Sequence, residues 1–188
     1  MSAINGEAPR VCVVLVNWNG WRDTVECLES LLRSDYPNFQ AVVCDNGSTD
    51  GSVEKLASWA RGEAVWPGPL SPELAPLSTP PLPKPVRLEV VSPGEDPGER
   101  ARATDVVVID TRENLGFAGG NNAGIRFALA QPEVRFVWLL NNDTVVAPDA
   151  MAQLVKRMSE TPEAGPCGAT LRFYQRPDIL QARGGSRY

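Results

Sequence analysis

The sequence predicts an α/β fold in which a mainly parallel central sheet is covered by helices on both faces. Short apolar runs alternate along the chain with segments whose apolar residues recur at helical spacing. The central apolar runs lack a polar alternation, as expected for strands that are buried on both sides. The order β-α-β-α-insertion-β-α-β-α-β is typical of a parallel sheet with helical crossovers.

The first part of the chain predicts two strand–helix pairs. Residues 11–16 are apolar throughout, and apolar side chains from Trp21 to Leu32 recur at helical spacing. Tyr36-Pro37-Asn38 ends this helix, whose first turn contains acidic residues able to cap it. Residues 40–44 predict the second strand, and Asp50-Gly51 opens a helix that extends to about Trp59.

A proline-rich insertion is predicted at residues 66–98. Ten of the 17 prolines of the chain lie between Pro67 and Pro97. We expect residues 67–85 to be extended or mobile and to lie outside the packed core, because proline disfavours both helices and inner strands. Residues 86–91 alternate between apolar and polar side chains and predict a short strand within the insertion.

The alternation of strands and helices resumes after the insertion. A glycine-rich turn at residues 114–122 leads into a helix, and Pro148 suits the first position of another helix. The remaining elements are predicted as strands at 105–110, 134–140 and about 166–173, and as helices at 119–130 and 148–158. A polar tail follows, ending at Gly184-Gly185-Ser186-Arg187-Tyr188.

Composition excludes several classes of function. The 188 residues suit one domain, and the net charge of −5 without clustered basic residues argues against a nucleic-acid partner. The chain has no histidine, which excludes Ser-His-Asp and Cys-His catalysis and histidine-ligated zinc. No apolar run is long enough for a membrane span, the N-terminus lacks a signal core, and the four cysteines form no C-x-x-C pair. We therefore expect a cytoplasmic protein with reduced thiols.

Polar segments follow three of the predicted strands at their carboxyl ends. They are Val-Asn-Trp-Asn-Gly at 16–20, Cys-Asp-Asn-Gly-Ser-Thr-Asp-Gly at 44–51 and Leu-Leu-Asn-Asn-Asp-Thr at 139–144. Ligands of open α/β sheets bind at the carboxyl ends of the strands. The three segments therefore predict one oxygen-rich site that suits a sugar, a ribose or a hard cation.

Individual residues of these segments have distinct chemical interpretations. Asp45, at a strand end, could accept hydrogen bonds from a pyrimidine N–H or a ribose diol, whereas Asp50 fits a turn and helix cap. Asp143 could hold Mg²⁺ or Mn²⁺ together with a diphosphate, or could form an Asx turn. The glycine-rich turn at 114–122 fits either an anion near a helix N-terminus or close packing of helix against sheet.

Four motifs occur in order: the three strand-end segments and Asn-Leu-Gly-Phe-Ala-Gly-Gly-Asn-Asn at 114–122. Together they closely resemble the family 2 inverting glycosyltransferases of the GT-A fold, a Rossmann-like three-layer fold, and especially their rhamnosyltransferase-like branch. The resemblance covers roughly residues 10–185 apart from the insertion. It implies a single nucleotide-sugar-binding domain over residues 10–188, interrupted by the proline-rich insertion.

The resemblance also implies a role for each matching residue. Val16 and Asn17 would border the nucleobase, Asp45 would bind it, and Asn46 would lie beside it. Asn114 and Gly119 would line the ribose and the sugar phosphate. Asn141 and Asp143 occupy the two ends of the family's D-x-D motif, with Asp143 as the ligand of Mg²⁺ or Mn²⁺.

The implied activity is transfer of a sugar from a nucleotide-diphosphate sugar to an acceptor hydroxyl with inversion. The enzyme would be a hexosyltransferase, with rhamnose as one candidate sugar, in cell-wall or polysaccharide biosynthesis. Its acceptor would be a glycan or a lipid-linked glycan, and segments beyond this chain could hold it against the inner membrane face. The family's catalytic base would lie beyond Tyr188, so we expect this chain to be the donor half of a longer enzyme.

Two alternatives remain open from the sequence. A nucleotidyltransferase also combines an α/β sheet, Mg²⁺ and a glycine-rich loop, although its first loop usually holds a triphosphate with several basic residues. The loop from Asn17 to Arg22 has one basic residue and one glycine. A non-catalytic nucleotide-sugar-binding module is the second alternative, because the acidic segment that would carry the base is not found in this sequence.

Overall fold

A five-stranded parallel sheet forms the centre of the computed structural model, which describes residues 8–64, 66–69, 71–92 and 98–183. The elements are, in chain order, β1 (Arg10–Asn17), α1 (Trp21–Leu31), β2 (Phe39–Asp45), α2 (Ser52–Arg61), α3 (Ala75–Ser78), β3 (Leu88–Val91), α4 (Gly98–Arg102), β4 (Val106–Asp110), α5 (Gly116–Leu129), β5 (Val134–Asn141), α6 (Ala150–Glu160), β6 (Thr170–Phe173) and β7 (Arg176–Arg183).

The strands of the central sheet lie in the order β3-β4-β2-β1-β5, and every neighbouring pair is parallel. Strand β1 is an inner strand, between β2 and β5, and it is almost completely buried between residues 11 and 15. Apolar runs without alternation predicted such strands, because both faces of the sheet are covered. The edge strand β5 is buried less than its apolar run predicted, since Val137 and Leu139 are exposed on one face. The predicted α/β class with a mainly parallel central sheet is confirmed.

Helices pack on both faces of the sheet, and the sheet separates two apolar clusters of the core. On one face, Val13 and Leu15 of β1 belong to a cluster with residues of α1, α2 and α6. On the other face, Cys12 and Val14 belong to a cluster with Phe127 of α5 and with a residue of α4. Successive side chains of a strand point to opposite faces, which explains why neighbours in β1 belong to different clusters.

Helix α5 packs against the sheet at Gly124. A Cβ atom at this position would lie 2.4 Å from Cγ1 of Val14 and 3.0 Å from Sγ of Cys44. No side chain fits this space, so glycine lets the helix backbone approach β1 and β2 closely. The close approach places the N-terminal turn of α5 near the carboxyl ends of both strands.

The proline-rich insertion packs against the core, so the expectation for residues 67–85 was wrong. Trp66, at its start, is 8% exposed, and Leu82 packs against the cluster that contains α1 and α2. The insertion also contains the short helix α3. Strand β3 is not a separate strand of the insertion but pairs with β4 as the edge of the central sheet.

A buried carboxylate on α1 anchors the insertion. Glu29 is fully buried, and its Oε1 accepts hydrogen bonds from Nε1 of Trp59 at 2.9 Å and from Nζ of Lys84 at 3.1 Å. Its Oε2 accepts the backbone N–H of Leu82 at 2.8 Å and pairs with Arg33 at 3.1 Å. These partners satisfy a charge that would otherwise be costly to bury. Proline content alone does not reveal such an anchor.

Three further predictions of elements need correction. Helix α5 begins at Gly116 rather than at residue 119, and α6 begins at Ala150, two residues after Pro148. The predicted strand at 166–173 is not part of the central sheet. Its last four residues form β6, which pairs antiparallel with β7 in a separate two-stranded sheet. The first part of the predicted polar tail is therefore β7, and residues 184–188 lie outside the described residues.

No helix within the described parts of the chain has both the length and the apolar character needed to cross a membrane.

Candidate functional site

The three polar segments predicted to share a site do meet at one edge of the sheet. Strands β2, β1 and β5 are neighbours, with Asn17 opposite Asp45 and Val16 opposite Asn141. The chain adds β2 on one side of β1 and later adds β5 on the other side. Such a reversal in strand order leaves a crevice beyond the carboxyl ends of the strands, where α/β proteins bind ligands.

Asn17 and Asp45 form the buried centre of the site. Nδ2 of Asn17 donates to Oδ1 of Asp45 at 2.6 Å. The same carboxylate accepts the backbone N–H of Ser48 at 3.0 Å and its hydroxyl at 2.7 Å. Asp45 is 1% exposed, so these contacts hold its side chain in one orientation. A carboxylate has about four acceptor positions, which leaves roughly one for a ligand.

Thr24 links this centre to the end of β5, and sequence reasoning missed it. Its Oγ1 donates to Oδ1 of Asn17 at 2.9 Å and accepts Nδ2 of Asn142 at 3.0 Å. Thr24 is fully buried in the first turn of α1. A hydroxyl among the apolar residues of an amphipathic helix, one turn after a strand end, was the available signal.

The glycine-rich turn is bonded to the end of β2. Nδ2 of Asn46 donates to Oδ1 of Asn114 at 2.9 Å, and Oδ1 of Asn46 accepts the N–H of Leu115 at 3.0 Å. Oδ1 of Asn114 also accepts the N–H of Gly116 at 2.8 Å. The structure thus brings Asn46 and Asn114 together, whereas their roles at the nucleobase and the ribose stay predictions. Asn114 is exposed and lies at the start of α5.

Gly120, rather than Gly119, lies against the sheet edge. A Cβ at Gly120 would be 2.9 Å from Cγ1 of Val16 and 3.6 Å from Cγ of Asn46. A Cβ at Gly119 would instead meet Leu115 of its own helix at 2.6 Å. Both glycines lie inside α5, because the helix begins three residues earlier than predicted. The role of Gly119 at the ribose or sugar phosphate stays a prediction.

The loop after β1 carries an exposed aromatic ring. Trp18 is 58% exposed, and the next residue, Asn19, has a positive φ of 52°. Oδ1 of Asn19 accepts the backbone N–H of Thr49 at 2.8 Å, and Ser48 Oγ accepts the N–H of Asn19 at 2.9 Å. These bonds join the loops after β1 and β2. The indole of Trp18 is therefore an apolar surface on the loop that adjoins the Asp45 loop.

A cavity of about 610 Å³ lies on the Asp143 side of the site. Exposed Asp143 lines it together with Asp23 and Glu26 of α1, Glu73 of the insertion, and Tyr174 and Gln175 of the turn between β6 and β7. Burial raises the pKa of the Glu26 carboxyl, and the charge of Asp23 adds to this effect, while a hydrogen bond from Tyr174 opposes it. Helix capping is the only role that the sequence pattern indicated for Glu26.

Asp178 does not line this cavity. It lies exposed on β7 and forms an ion pair with Arg176, with 3.2 Å between Oδ1 and Nε. That contact lowers the pKa of the Asp178 carboxyl. An exposed, paired carboxylate of low basicity is a poor general base.

The donor set around Asp143 fits a hard cation that a ligand helps to hold. Within the described residues, no group of three or more Asp, Glu, Cys or His side chains could hold a metal ion by itself. Mg²⁺ is usually bound through one or two carboxylates while substrate phosphates and water complete its octahedron. A single exposed carboxylate at the strand-end crevice suits this mode, whereas a metal cage made only of protein does not form here.

The chain matches a family model described as “Glycosyl transferase family 2” over residues 12–67 and 98–183, about three quarters of its length. The interruption falls within the predicted insertion. A second similarity is to EpsE of Bacillus subtilis (strain 168), a protein named as a proposed glycosyltransferase. The two sequences are 35% identical over 52 residues, which cover 28% of this chain and 19% of EpsE.

Two solved structures share the fold. One is a mannosyltransferase from Pyrobaculum calidifontis, PcManGT, in complex with GDP-Man and Mn²⁺, with a TM-score of 0.55 and 21% identity. The alignment covers 89% of this chain and 37% of PcManGT. The other is S. aureus TarS, with a TM-score of 0.51 and 17% identity, covering 81% of this chain and 20% of TarS. The chain thus spans well under half the length of each of these proteins.

Proposed function

The chain belongs to glycosyl transferase family 2, and on this premise we propose that it is the donor-binding domain of a glycosyltransferase. The enzyme would transfer a sugar from a nucleotide-diphosphate sugar to an acceptor hydroxyl with inversion at the anomeric carbon. The observation that carries the proposal is the hydrogen-bonded chain from Asp45 through Asn17 and Thr24 to Asn142. It fixes three strand ends around the crevice in which α/β folds bind nucleotides.

The nucleoside would lie over the ends of β1 and β2. The acceptor position left on Asp45 suits an N–H of the base, and the exposed indole of Trp18 offers a surface on which the base can stack. Asn46 and Asn114 would border the ribose, since they join the end of β2 to the first turn of α5. Val16 and Gly120 would form the floor beneath it.

The diphosphate would lie toward the end of β5, where Asp143 would hold Mg²⁺ or Mn²⁺. PcManGT was solved with GDP-Man and Mn²⁺, and its shared fold supports a divalent cation here. Such a cation supplies charge neutralisation for a departing diphosphate. Asn141 would border the diphosphate, and Asn142, held by Thr24, would keep the Asp143 loop in place.

Transfer would be a direct displacement. The acceptor oxygen forms a bond to the anomeric carbon while the bond from that carbon to the diphosphate oxygen breaks, and the hydroxyl proton passes to a base. No described residue is assigned as this base. A glycan or lipid-linked glycan in cell-wall or polysaccharide synthesis would be the acceptor, at the cytoplasmic side of the membrane. A rhamnosyl donor, which the branch resemblance favours, belongs to the panel tested below.

Thermal shift measurements test donor binding. UDP-glucose, GDP-mannose and dTDP-rhamnose are screened with Mn²⁺ and with a chelator. We expect at least one to raise the melting temperature more with Mn²⁺, because a ligand at 100 times its dissociation constant adds about 2.7 kcal/mol. Asp143→Ala should abolish the dependence on Mn²⁺ without unfolding the chain. Asp149→Ala is the matched control, because Asp149 precedes α6 and forms no capping hydrogen bond.

If Asp143→Ala retains binding that depends on Mn²⁺, the metal assignment is wrong. If none of the donors binds, the proposed function fails. Release of nucleoside diphosphate from a bound donor, measured over hours, separates an enzyme from a non-catalytic binding module. The nucleotidyltransferase alternative gains nothing from the structure, since Arg22, the basic residue of the first loop, stacks over Trp21 with 4.8 Å between the guanidinium and the ring centroid.

A further inference from the structure

The cavity beside Asp143 is bounded by three segments that are distant in sequence. The first turns of α1 contribute Asp23 and Glu26, the insertion contributes Glu73, and the turn between β6 and β7 contributes Tyr174 and Gln175. Its volume of about 610 Å³ falls in the range of small-molecule pockets. It adjoins the loop that would carry the metal and the diphosphate, since Asp143, Thr144 and Val145 line it.

Tyr174 joins these three segments through its hydroxyl group. The hydroxyl donates to Oε1 of Glu26 at 2.8 Å and accepts the backbone N–H of Ser71 at 3.2 Å. Glu26 is 9% exposed, so the bond is largely shielded from water. A hydrogen bond to a carboxylate in such a place is stronger than one between neutral groups. This bond holds the β6–β7 turn against α1.

The side chains that line the cavity favour one chemical class of ligand. The carboxylates of Asp23 and Glu73 and the side-chain amide oxygen of Gln175 accept hydrogen bonds from hydroxyl groups. No Lys or Arg belongs to the described lining of the cavity. An anionic ligand such as a sugar phosphate would meet like charges there, whereas a neutral sugar offers the donors that these oxygens need.

We propose that this cavity receives an uncharged, hydroxyl-rich part of the glycosyl acceptor and that Tyr174 is a positioning residue for it. The Tyr174–Glu26 hydrogen bond fixes the β6–β7 turn, and the turn forms one wall of the acceptor pocket beside Asp143. The inference rests on the proposed function, because it places the acceptor next to the loop that would hold the donor diphosphate.

Titrations followed by heteronuclear NMR test the proposal on the whole chain. Methyl glycosides of glucose, mannose, galactose, N-acetylglucosamine and rhamnose are the neutral probes, and glucose 6-phosphate and mannose 6-phosphate are the anionic ones. We expect one or more neutral probes to shift the amide signals of Thr144, Tyr174 and Gln175, and the phosphates to leave them unchanged at equal concentration. The titrations are run without nucleotide and with Mg²⁺ and GDP, UDP or dTDP.

Variants separate a positioning role from a general effect on folding. Tyr174→Phe and Glu26→Ala each remove the hydrogen bond, and each should weaken binding of the neutral probe about tenfold while nucleotide affinity is unchanged. Glu26→Gln should retain probe binding, because its amide oxygen still accepts the tyrosine hydroxyl. Asp178→Asn, an exposed change on the same two-stranded sheet, should match the unmodified chain.

Three results would overturn the proposal: no neutral probe shifts these amides, the phosphates bind as well as the neutral sugars, or Tyr174→Phe binds the probe as the unmodified chain does. If Tyr174→Phe fails to give a dispersed spectrum, the Glu26→Ala and Glu26→Gln pair decides. Failure of the donor hypothesis is recognised separately, because nucleotides would then not bind while the titrations without nucleotide still report on the cavity.

Discussion

Asn17 and Asp45 face each other at the carboxyl ends of β1 and β2, with 2.6 Å between Nδ2 of the asparagine and Oδ1 of the aspartate. Both side chains are buried, and Ser48 occupies two further acceptor positions of the carboxylate. The arrangement requires an acceptor on both carboxylate oxygens. We therefore expect asparagine at position 45 to change both the stability of the fold and its affinity for a ligand.

Asp45→Asn should lower both stability and nucleotide affinity. An amide has one acceptor oxygen, so its NH₂ group would face either Asn17 Nδ2 or a donor of Ser48. An unsatisfied buried donor costs about 1–3 kcal/mol. Urea unfolding measures the stability, and calorimetry with UDP, GDP and dTDP measures binding. Asp50→Asn in the same loop is the control, because Oδ1 of Asp50 accepts from Ser52 and an amide oxygen can do the same. Equal effects of both changes would contradict the prediction.

Thr24→Val should uncouple the Asp143 loop from β1. Valine has nearly the same shape but neither donates to Asn17 nor accepts from Asn142. We expect a loss of about 1–3 kcal/mol in the free energy of unfolding and a weaker dependence of nucleotide binding on Mn²⁺. Thr104→Val is the matched control, since Thr104 Oγ1 donates to Ala101 O at 2.8 Å near the opposite end of the sheet. The control should lose stability without losing metal-dependent binding.

Glu29→Ala should be strongly destabilising. Removing this carboxylate leaves Lys84, the indole N–H of Trp59 and the backbone N–H of Leu82 without their acceptor. Breaking a buried ion pair costs about 3–5 kcal/mol. Chemical denaturation measures the loss, and Glu63→Ala, which removes an exposed ion pair with Arg61, should leave the midpoint unchanged. A midpoint near that of the unmodified chain would show that the Glu29 cluster contributes little.

Replacing residues 67–85 with a short Gly/Ser linker should cost several kcal/mol, because the buried Glu29 loses Lys84 and the backbone N–H of Leu82 and keeps only Arg33 and Trp59 as partners. The linker also removes Leu82 from the core cluster. A control that replaces only residues 67–74 keeps Leu82 and Lys84 and should lose less stability. Urea unfolding of both variants makes the comparison. Equal, small losses would restore the sequence-based expectation that the segment lies outside the core.

Glu26→Gln should change how stability depends on pH. Burial raises the pKa of Glu26 above its ordinary value of 4.5, so the native state holds the proton more tightly than the unfolded chain. The Glu26 carboxyl therefore adds to the free energy of unfolding at pH values below 4.5. This contribution is lost as the pH rises through the raised pKa. The variant should therefore gain stability relative to the unmodified chain as the pH rises from about 4 to 8.

Asp178→Asn should change the pH dependence of stability in the opposite direction. Arg176 lowers the pKa of Asp178 from its ordinary value of 3.8, so its contribution is lost as the pH falls. Thermal unfolding at a series of pH values measures both variants. A stability difference between Glu26→Gln and the unmodified chain that does not change with pH would contradict the environment described for Glu26.

The fold class and the edge of the sheet where the site lies could both be predicted from the amino-acid sequence. Apolar runs without a polar alternation, such as residues 11–16 and 106–109, are typical of strands buried on both faces, as in a parallel sheet with helices on each side. Polar residues directly after such strands must then lie at the carboxyl edge. Local periodicity and chain order carry this information, so Asn17, Asp45 and Asn141 could be placed at one edge without coordinates.

The side-chain contacts of the site, in contrast, became visible only in the three-dimensional structure. Thr24 bonds to Asn142 across 118 positions, and Tyr174 bonds to Glu26 across 148. No local sequence pattern predicts either pair, because a hydrogen bond between distant segments depends on how whole helices and strands pack. The same reason explains the insertion: its prolines disfavour regular structure locally, but the buried Glu29 on α1 holds Lys84 and Leu82 against the core.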